Sequence, residues 1–231
     1  MNQIDYIVKL NHDIDVFVEE YRDNCVTQLY DEFNVNEGAK NRLNALIKRM
    51  IADSNSLYLK QIDNKDDLCL KTIKLDRYGH LKESMSFPVF RYCDLAKEDW
   101  EHSSLRQIFR DNIFVFAIFK NEGKELFLNR IKVWKMPESV LEKGVREVWE
   151  RMQRCVTTGR IVKYIDDTGR YFTYFPSSTE NQFVHVRPHA QNRSDTLPLP
   201  VPDKLTGLVE YPKHSFWLNR SYVLKIISEE Q

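Results

Sequence analysis

The stretch "NIFVFAIF" at residues 112–119 decides the fold class. After its first residue it is apolar throughout for the length of one strand, a pattern typical of a central strand buried on both faces. The segment "LNRIKVWKM" (128–136) resembles a neighbouring strand. Alternation of apolar and polar residues predicts further strands in "LYLKQI" (57–62), "LCLKTIKL" (68–75) and "ESMSFPVF" (83–90), with "DNKDD" and "DRYGH" as turns between them.

Three segments have helical periodicity. "DIDVFVEEYRDNCVTQLYDEF" (13–33) places apolar residues at steps of three and four, which predicts one amphipathic helix. "AKNRLNALIKRMIA" (39–52) predicts a second helix by the same rule. A third runs through "GVREVWERMQRCVTTG" (144–159), and its final glycine is a typical helix stop. The apolar stripes of these helices are most simply explained as core.

The C-terminal third is predicted to hold strands around a long loop. "RYFTYF" (170–175) and "QFVHVRP" (182–188) are interpreted as a strand pair, and "SFWLNRSYVLKII" (215–227) closes the fold. Between them, "QNRSDTLPLPVPDKLTG" (191–207) is too polar and too rich in proline for a regular element. The order of elements predicts an α/β (α+β) fold over residues 1–231, a single domain with a mixed central sheet flanked by helices and room for two sub-lobes.

Composition favours a soluble cytoplasmic protein. With 42% hydrophobic residues in 231, the chain can bury one sizeable core. It has no apolar run near the roughly 18–20 residues of a membrane span, and "MNQIDYIVKL" lacks the layout of a signal peptide. No membrane partner is therefore expected. The four cysteines lie far apart without a CxxC pair, so they are interpreted as buried reduced thiols.

The formal net charge is +0, so composition alone does not indicate a nucleic-acid binder. The distribution is uneven, however. Residues 1–53 carry six basic against ten acidic side chains, whereas residues 154–227 carry ten basic against six acidic. A positive C-terminal third could face a polyanion.

The segment "CLK" raises the question of nuclease chemistry. Metal-dependent nucleases hold Mg²⁺ with carboxylates at a sheet edge, where a lysine orients or deprotonates the attacking water. An acid-x-Lys strand suits this task, because residues i and i+2 share one face. Here Cys69 takes the acidic position before Lys71. A neutral thiol is a poor ligand for a hard cation that prefers oxygen.

The sequence leaves two alternatives open for this segment. On pattern alone, "LCLKTI" fits an ordinary strand with an exposed lysine. Alternatively, Asp63, Asp66, Asp67 or Glu83 could supply displaced carboxylates, although acidic turn residues are common. The sequence has no glycine-rich phosphate loop, HExxH helix or GxSxG elbow, so no second catalytic constellation competes.

Several stretches, in order, resemble one family: the MutH-type GATC endonucleases, comprising the mismatch-repair nickase and the Sau-type restriction enzymes. "RPHAQN" followed by "FWLN" is the most specific part of the set. The matching segments are "LKTI" (70–73), "LKES" (81–84), "WEHSSL" (100–105), "REVWERM" (146–152), "VHVRPHAQN" (184–192) and "SFWLNRSYV" (215–223).

This resemblance implies a PD-(D/E)xK-type fold with two lobes around a DNA cleft, but with a degenerate active site. Cys69 stands where the family has a metal-binding glutamate. Ile62 and Lys48 stand where the family has acidic residues, and Ile108 aligns near a later active-site lysine. Lys71 is the one catalytic position that matches cleanly. No catalytic residue and no cofactor are therefore expected in this domain, and the degenerate site is assigned to Asp63, Cys69, Lys71 and Glu83.

The DNA-reading end matches better. In the family, the loop after the "RP" strand enters the major groove and reads GATC, and an arginine there can pair bidentately with guanine. Taken alone, Arg187 would suggest a surface salt bridge; the flanking motif favours base contact. His189 replaces a family lysine, and Trp217 replaces a family tyrosine. The candidate DNA-binding residues are Arg187, Pro188, His189, Ala190, Asn192, Lys213 and Trp217.

The sequence is most like the C-terminal, non-catalytic half of a Sau-type type II restriction endonuclease. At 231 residues, the chain is expected to hold one such half. Its expected partners are double-stranded DNA containing GATC and the catalytic half, which would carry Mg²⁺, with coupling through DNA looping or a homodimer on DNA. The alternatives are an active Mg²⁺ endonuclease with relocated carboxylates, and a protein-interaction scaffold that retains the nuclease fold.

Overall fold

The computed structural model describes residues 3–36, 38, 41–64 and 67–229, without the side chains of residues 3, 4, 6, 63 and 64. It divides into two compact units. The first comprises Met1–Lys82 and Asp111–Lys135, and the second comprises Glu83–Arg110 and Met136–Gln231. Both units combine helices with strands, so the mixed α/β class is confirmed. The prediction of a single domain over residues 1–231 stays a prediction.

The first unit is built on a three-stranded sheet. Its strands are β1 (Leu68–Leu75), β3 (Ile113–Glu122) and β4 (Glu125–Trp134), in the order β1-β3-β4. β3 pairs parallel to β1 and antiparallel to β4, so the sheet is mixed. The first seven residues of β3 are all buried. The prediction of a central strand at "NIFVFAIF" is confirmed, because only a strand covered on both faces can bury side chains of both parities.

In the part of the chain that the structure describes, four helices precede β1. They are α1 (Gln3–Glu20), α2 (Val26–Glu32), α3 (Arg42–Asp53) and α4 (Leu57–Asn64). The single helix predicted over 13–33 is wrong, because it is interrupted between α1 and α2. Cys25 there has an extended backbone (φ −70°, ψ 151°) and forms an isolated bridge with Phe127. Its N–H donates to Gln28 Oε1 at 3.0 Å, which starts α2.

The segment "LYLKQI" is helix α4, so the predicted strand is wrong. Ser56 lies just before the helix, and its Oγ accepts from Leu59 N at 3.0 Å. Leu59 and Ile62 are both buried, one helical turn apart. The capping serine and this i, i+3 pair favour a helix over the alternation that suggested a strand.

One face of the sheet packs against the helices to form the core of the first unit. Leu68, Ile113 and Val115 contribute from the strands, together with Leu70 at its edge. The largest fully buried aliphatic residues on the helices are Leu10, Leu29, Leu46, Ile47, Met50 and Ile51. Because strand side chains alternate, Cys69 and Lys71 lie on the opposite face.

The second unit is built on the antiparallel sheet β2-β10-β7. Its strands are β2 (Met85–Val89), β7 (Val184–Pro188) and β10 (His214–Leu218). Helix α7 (Arg146–Thr157) follows a π-helical segment, Val140–Val145, and ends two residues before Gly159, the predicted helix stop. Gly159 has φ +65°, and a Cβ there would lie 2.5 Å from the carbonyl oxygen of Pro202. The other helices of this part of the chain are α5 (Tyr92–Leu95), α6 (Ser104–Asp111), α8 (Arg220–Ser228) and the 3₁₀ turn Trp100–His102.

"RYFTYF" and "QFVHVRP" do not pair with each other, so that prediction is wrong. β6 (Tyr171–Thr173) forms a hairpin with β5 (Val162–Ile165), whereas β7 pairs with β10. The hairpin turn is closed by Asp166, whose Oδ1 accepts from Thr168 N at 3.0 Å and Arg170 N at 2.9 Å.

The long connection over 191–207 contains one regular element. β8 (Thr196–Pro198) pairs with β9 (Glu210–Pro212), so the prediction of a wholly irregular segment is wrong at this point. The rest is held by the buried carboxylate of Asp203. It accepts from the backbone N–H groups of Ile161, Val162 and Thr206, each at 2.9 Å. These bonds lower the pKa of Asp203 and anchor the loop to β5.

All four cysteines are free, but only Cys155 is buried. Cys25, Cys69 and Cys93 are half-buried, so the prediction of four buried thiols is wrong for these three. Across the described part of the chain, the helices are all too short or too polar to cross a membrane.

Candidate nucleic-acid interface and the sheet face at Lys71

The face of the first sheet that carries Lys71 is organised in rows across its three strands. The Lys71 row continues through Phe116 to Lys132. The two adjacent rows are Cys69–Phe114–Trp134 and Ile73–Ile118–Arg130. The three aromatic rings form one cluster, with centroid separations of 5.6 to 6.0 Å.

None of the nine residues in these rows is acidic, and all nine are described. The row of Lys71 instead places a second cation, Lys132, across the sheet. Burial raises the pKa of the Cys69 thiol, an effect that the ammonium of Lys71 partly offsets. A protonated thiol, two lysines and an arginine do not fit Mg²⁺, which requires oxygen ligands.

The acidic residues that were assigned to the degenerate site or considered as displaced carboxylates are Asp63, Asp66, Asp67 and Glu83. Asp66 lies outside the described residues, and so does the side chain of Asp63. Asp67 is exposed before β1, and Glu83 belongs to the second unit. Within the described ranges there is no group of three or more His, Cys, Asp or Glu side chains that could hold a metal ion.

Two positions that the resemblance aligned with acidic residues lie in different environments. Ile62 is buried in the core of the first unit, and Lys48 is exposed on α3. The simple interpretation of Lys71 as an exposed lysine is wrong, because its side chain is half-buried on the sheet face.

The second sheet carries a cationic and aromatic cluster on one face. Arg187 on β7 is exposed, and its guanidinium lies 4.8 Å from the ring centroid of Trp217 on β10. His189 Nδ1 and Ser215 Oγ form a hydrogen bond of 2.8 Å. The ring centroid of His189 lies 5.6 Å from that of Trp217. We call Arg187, His189, Ser215 and Trp217 the reading cluster. The contact of Arg187 is thus an aromatic ring, rather than the salt bridge considered as the alternative.

A buried pair supports the reading cluster. His185 lies opposite Trp217 in the β7–β10 register, and its Nδ1 lies 2.5 Å from Asn219 Oδ1. Asn219 ends "FWLN", and its backbone N–H donates to the carbonyl of Phe183 at 2.8 Å. Burial lowers the pKa of His185, which favours a neutral ring opposite the tryptophan on the neighbouring strand. The pair fixes the strand that carries Trp217 against the strand that carries Arg187.

The loop after β7 is held by Asp195. Its Oδ2 accepts from Gln191 N at 3.0 Å, and its Oδ1 forms an ion pair with the ammonium of Lys213. The carbonyl of Lys213 accepts from His189 N at 2.8 Å and from Ala190 N at 3.2 Å. Lys213 therefore holds the loop through both its carbonyl and its ammonium group. The hydrogen bond from this ammonium lowers the pKa of Asp195.

The remaining candidates lie along the same loop. Pro188 ends β7 and is exposed, and Ala190 is half-buried. Asn192 is exposed, but its Oδ1 accepts from Ser194 N at 2.9 Å and from Ser194 Oγ at 2.6 Å. Six of the seven predicted DNA-binding residues thus lie on β7, on β10 or in the loop after β7, whereas Lys213 lies between β9 and β10 and is paired with Asp195.

Sequence reasoning missed His185, Ser215, Asn219 and Asp195. The signal for His185 was present, because in "VHVRP" His185 and Arg187 share one strand face by parity. The role of Ser215 required knowledge of the β7–β10 pairing, and the role of Asp195 required knowledge that the loop folds back onto Lys213.

Comparisons with known proteins bear on this arrangement. No protein-family model matches the chain. The type II restriction enzyme Sau3AI of Staphylococcus aureus is 27% identical over 237 aligned positions, which cover 88% of this chain. The chain is similar to Sau3AI. The resemblance to a Sau-type restriction enzyme, predicted from "RPHAQN" and "FWLN", is thereby confirmed.

The similarity to Sau3AI covers 48% of that enzyme, so the chain spans about half the length of its relative. The mixed α/β architecture is compatible with a restriction-endonuclease-like fold.

Proposed function

We propose that this chain binds double-stranded DNA at GATC and does not cut it. It would be a MutH-like domain with a PD-(D/E)xK-derived sheet, acting as the C-terminal effector half of a Sau-type restriction endonuclease. Occupancy of its site would be coupled to a catalytic half that carries Mg²⁺, through DNA looping or dimerisation.

The reading cluster carries the proposal. An arginine whose guanidinium is exposed and supported by an aromatic face has already lost part of its side-chain freedom before binding. Its planar fork matches the O6 and N7 acceptors of guanine in the major groove, for about 1–3 kcal/mol of discrimination. Arg187 meets these conditions, since it is exposed and lies 4.8 Å from the Trp217 ring centroid.

The composition of the Lys71 face supports the absence of cutting. Phosphodiester hydrolysis by this class of site needs carboxylates that hold Mg²⁺ on the scissile phosphate. The rows around Lys71 supply Lys132, Arg130 and the protonated thiol of Cys69 instead. Positive groups at this spacing repel a divalent cation and attract a phosphate.

Binding and cleavage measured on one sample test the proposal. The purified chain is mixed with a labelled duplex that contains one GATC, or with a scrambled duplex, in EDTA and in Mg²⁺. We expect a GATC-selective shift in both buffers and no cleavage in Mg²⁺.

The two alternatives make different predictions in the same experiment. An endonuclease that uses Asp63, Asp66 or Glu83 would cut in Mg²⁺, and Lys71→Ala would abolish the cutting. A scaffold would shift neither duplex, even at low salt. Either outcome would contradict the proposal that the chain binds GATC without cutting it.

A further inference from the structure

A second surface lies beside the loop between β7 and β8 (residues 189–195), which we call the reading loop, on the side of Pro188, Ala190 and Asn192. It is a groove of about 1000 Å³ between this loop and the β5–β6 hairpin. Asn192 and Arg193 line one wall, and Lys163, Arg170 and Tyr171 line the other. We call it the hairpin groove.

The charge of the hairpin groove suits an anion. Four cationic and two acidic side chains line it, an excess of two positive charges. One acid, Glu180, is already paired with Arg151 at 2.8 Å. Lys163, Arg170 and Arg193 are exposed and form no salt bridge with any residue that the structure describes. Their charged groups are therefore accessible to a ligand, although the guanidinium of Arg170 also attracts the nearby carboxylate of Asp166.

The hairpin also offers an aromatic platform. Tyr164 and Phe172 stack with ring centroids 4.4 Å apart at 7°, and the guanidinium of Arg170 lies 5.2 Å from the Phe172 centroid. Tyr164 and Tyr171 are 46% and 41% exposed. Cationic grooves with exposed aromatic rings are typical of surfaces that follow a nucleic-acid strand, where the cations contact the backbone.

Position links the hairpin groove to the reading loop. A loop inside a major groove about 12 Å wide is flanked on each side by a sugar–phosphate strand. Arg187 and His189 point to the Trp217 side of the loop, whereas Pro188, Ala190 and Asn192 line the hairpin groove on the other side. One flanking strand would thus run along the hairpin.

We propose that the hairpin groove binds one DNA strand flanking the recognition site, with its phosphates on Lys163, Arg170 and Arg193 and a sugar against Tyr164. This inference rests on the proposed function, and it adds a sequence-independent contact to the sequence-reading one. Such contacts contribute affinity and register without base specificity.

The test compares two charge-matched double variants. Lys163→Gln/Arg170→Gln removes two cations from the groove, whereas Arg154→Gln/Lys204→Gln removes two exposed cations that do not line it. Affinity for the GATC duplex and the scrambled duplex is measured across a salt series, and thermal unfolding verifies that each variant is folded. Hydroxyl-radical footprinting of the GATC complex maps the protected sugars.

We expect the groove variant to bind both duplexes about tenfold more weakly, with the ratio between them preserved. Its log–log salt slope should fall by about 1.8, since each phosphate contact contributes about 0.9. Protection of one flanking strand should also disappear. The control variant should keep the wild-type slope and footprint.

The outcomes separate this inference from the proposed function. If the wild-type chain binds GATC but the groove variant behaves like the control, the inference is overturned and the reading function stands. If the groove variant loses GATC selectivity instead of general affinity, the sequence-independent role is also overturned. If the wild-type chain binds neither duplex, both proposals fall.

Discussion

The Lys71 face and the reading cluster are built alike, yet their chemistry differs. Each is one face of a three-stranded sheet, with side chains placed in register across the strands. At Lys71, the neighbouring positions hold aromatic rings and further cations. In the reading cluster, His189 has a polar partner and Arg187 has an aromatic support. The Lys71 face thus places rings and cations side by side, whereas Arg187 and His189 in the reading cluster each have a contact that orients the side chain.

Acid should destabilise the second unit selectively, and this is the largest effect we expect. His214 is buried, with Nδ1 2.7 Å from the Pro212 carbonyl oxygen, and burial lowers its pKa from 6.5 to about 4. Below pH 6.5 the unfolded chain binds a proton that the folded chain does not. The contribution of neutral His214 to the free energy of unfolding is therefore fully present above pH 6.5. It is lost as the pH falls to 4, by roughly 3 kcal/mol in total.

Amide hydrogen exchange at pH 7 and pH 4.5 measures the loss of stability separately in each unit. Faster exchange is expected in β7 and β10 than in β1 and β3, because the described histidines of the first unit, His12 and His80, are exposed. His214→Gln should remove most of the pH dependence. Equal acid sensitivity of the two sheets would contradict the assignment to His214.

Arg187→Ala should reduce the affinity for a GATC duplex about 10- to 100-fold and leave the affinity for a scrambled duplex nearly unchanged. The expected loss corresponds to one bidentate guanine contact of about 1–3 kcal/mol. Arg154→Ala removes an exposed cation from α7 and is the matched control. A parallel loss on both duplexes would show that Arg187 contacts only phosphate.

Trp217→Ala should weaken GATC binding less, by about fivefold to tenfold. The indole supports the guanidinium of Arg187, and an exposed cation–π contact contributes about 0.5–1 kcal/mol, to which lost packing against His189 adds. Trp217→Phe keeps an aromatic face and should recover part of the affinity. Binding titrations of the wild type and the two variants measure these affinities. If Trp217→Phe binds GATC no better than Trp217→Ala, the ring does not support Arg187.

Lys71→Ala should have the smallest effect, within about twofold on GATC affinity, and neither protein should cut DNA in Mg²⁺. The reason is that the rows around Lys71 contain no carboxylate to hold a metal. Lys74→Ala, at an exposed position of the same strand, is the control. Measurable cutting by the wild-type chain that disappears in Lys71→Ala would restore this face as an active site.

The elements that were predictable have patterns with a single physical solution. Continuous apolar residues over 113–119 can be covered only in the middle of a sheet, and β3 lies there. "LYLKQI" was predicted wrongly because its apolar residues fit both a period of two and an i, i+3 step, and the cap at Ser56 decides for the helix. The predicted partner of "RYFTYF" was wrong because the short polar turn after β5 pairs this segment with the preceding strand, β5, instead of with β7.

The candidate site divides in the same way. Arg187, His189 and Trp217 were predictable because the resemblance rests on local motifs, "RPHAQN" and "FWLN". The internal partner of Lys213 was not, because Asp195 reaches it only after the loop folds back. The hairpin groove likewise joins residues of the β5–β6 hairpin to the loop after β7, two segments that no sequence motif connects.

The sequence by itself determined the mixed α/β class, the central strand, the absence of an acid two positions before Lys71 and the resemblance to a Sau-type restriction enzyme. These properties are written in residue type and short-range spacing. Only the tertiary structure decided that Lys132 lies in the row of Lys71, that Arg187 is supported by Trp217, and that a cationic groove adjoins the reading loop. Each depends on strand register or loop closure between distant segments, which is set by the packing of the whole core rather than by local pattern.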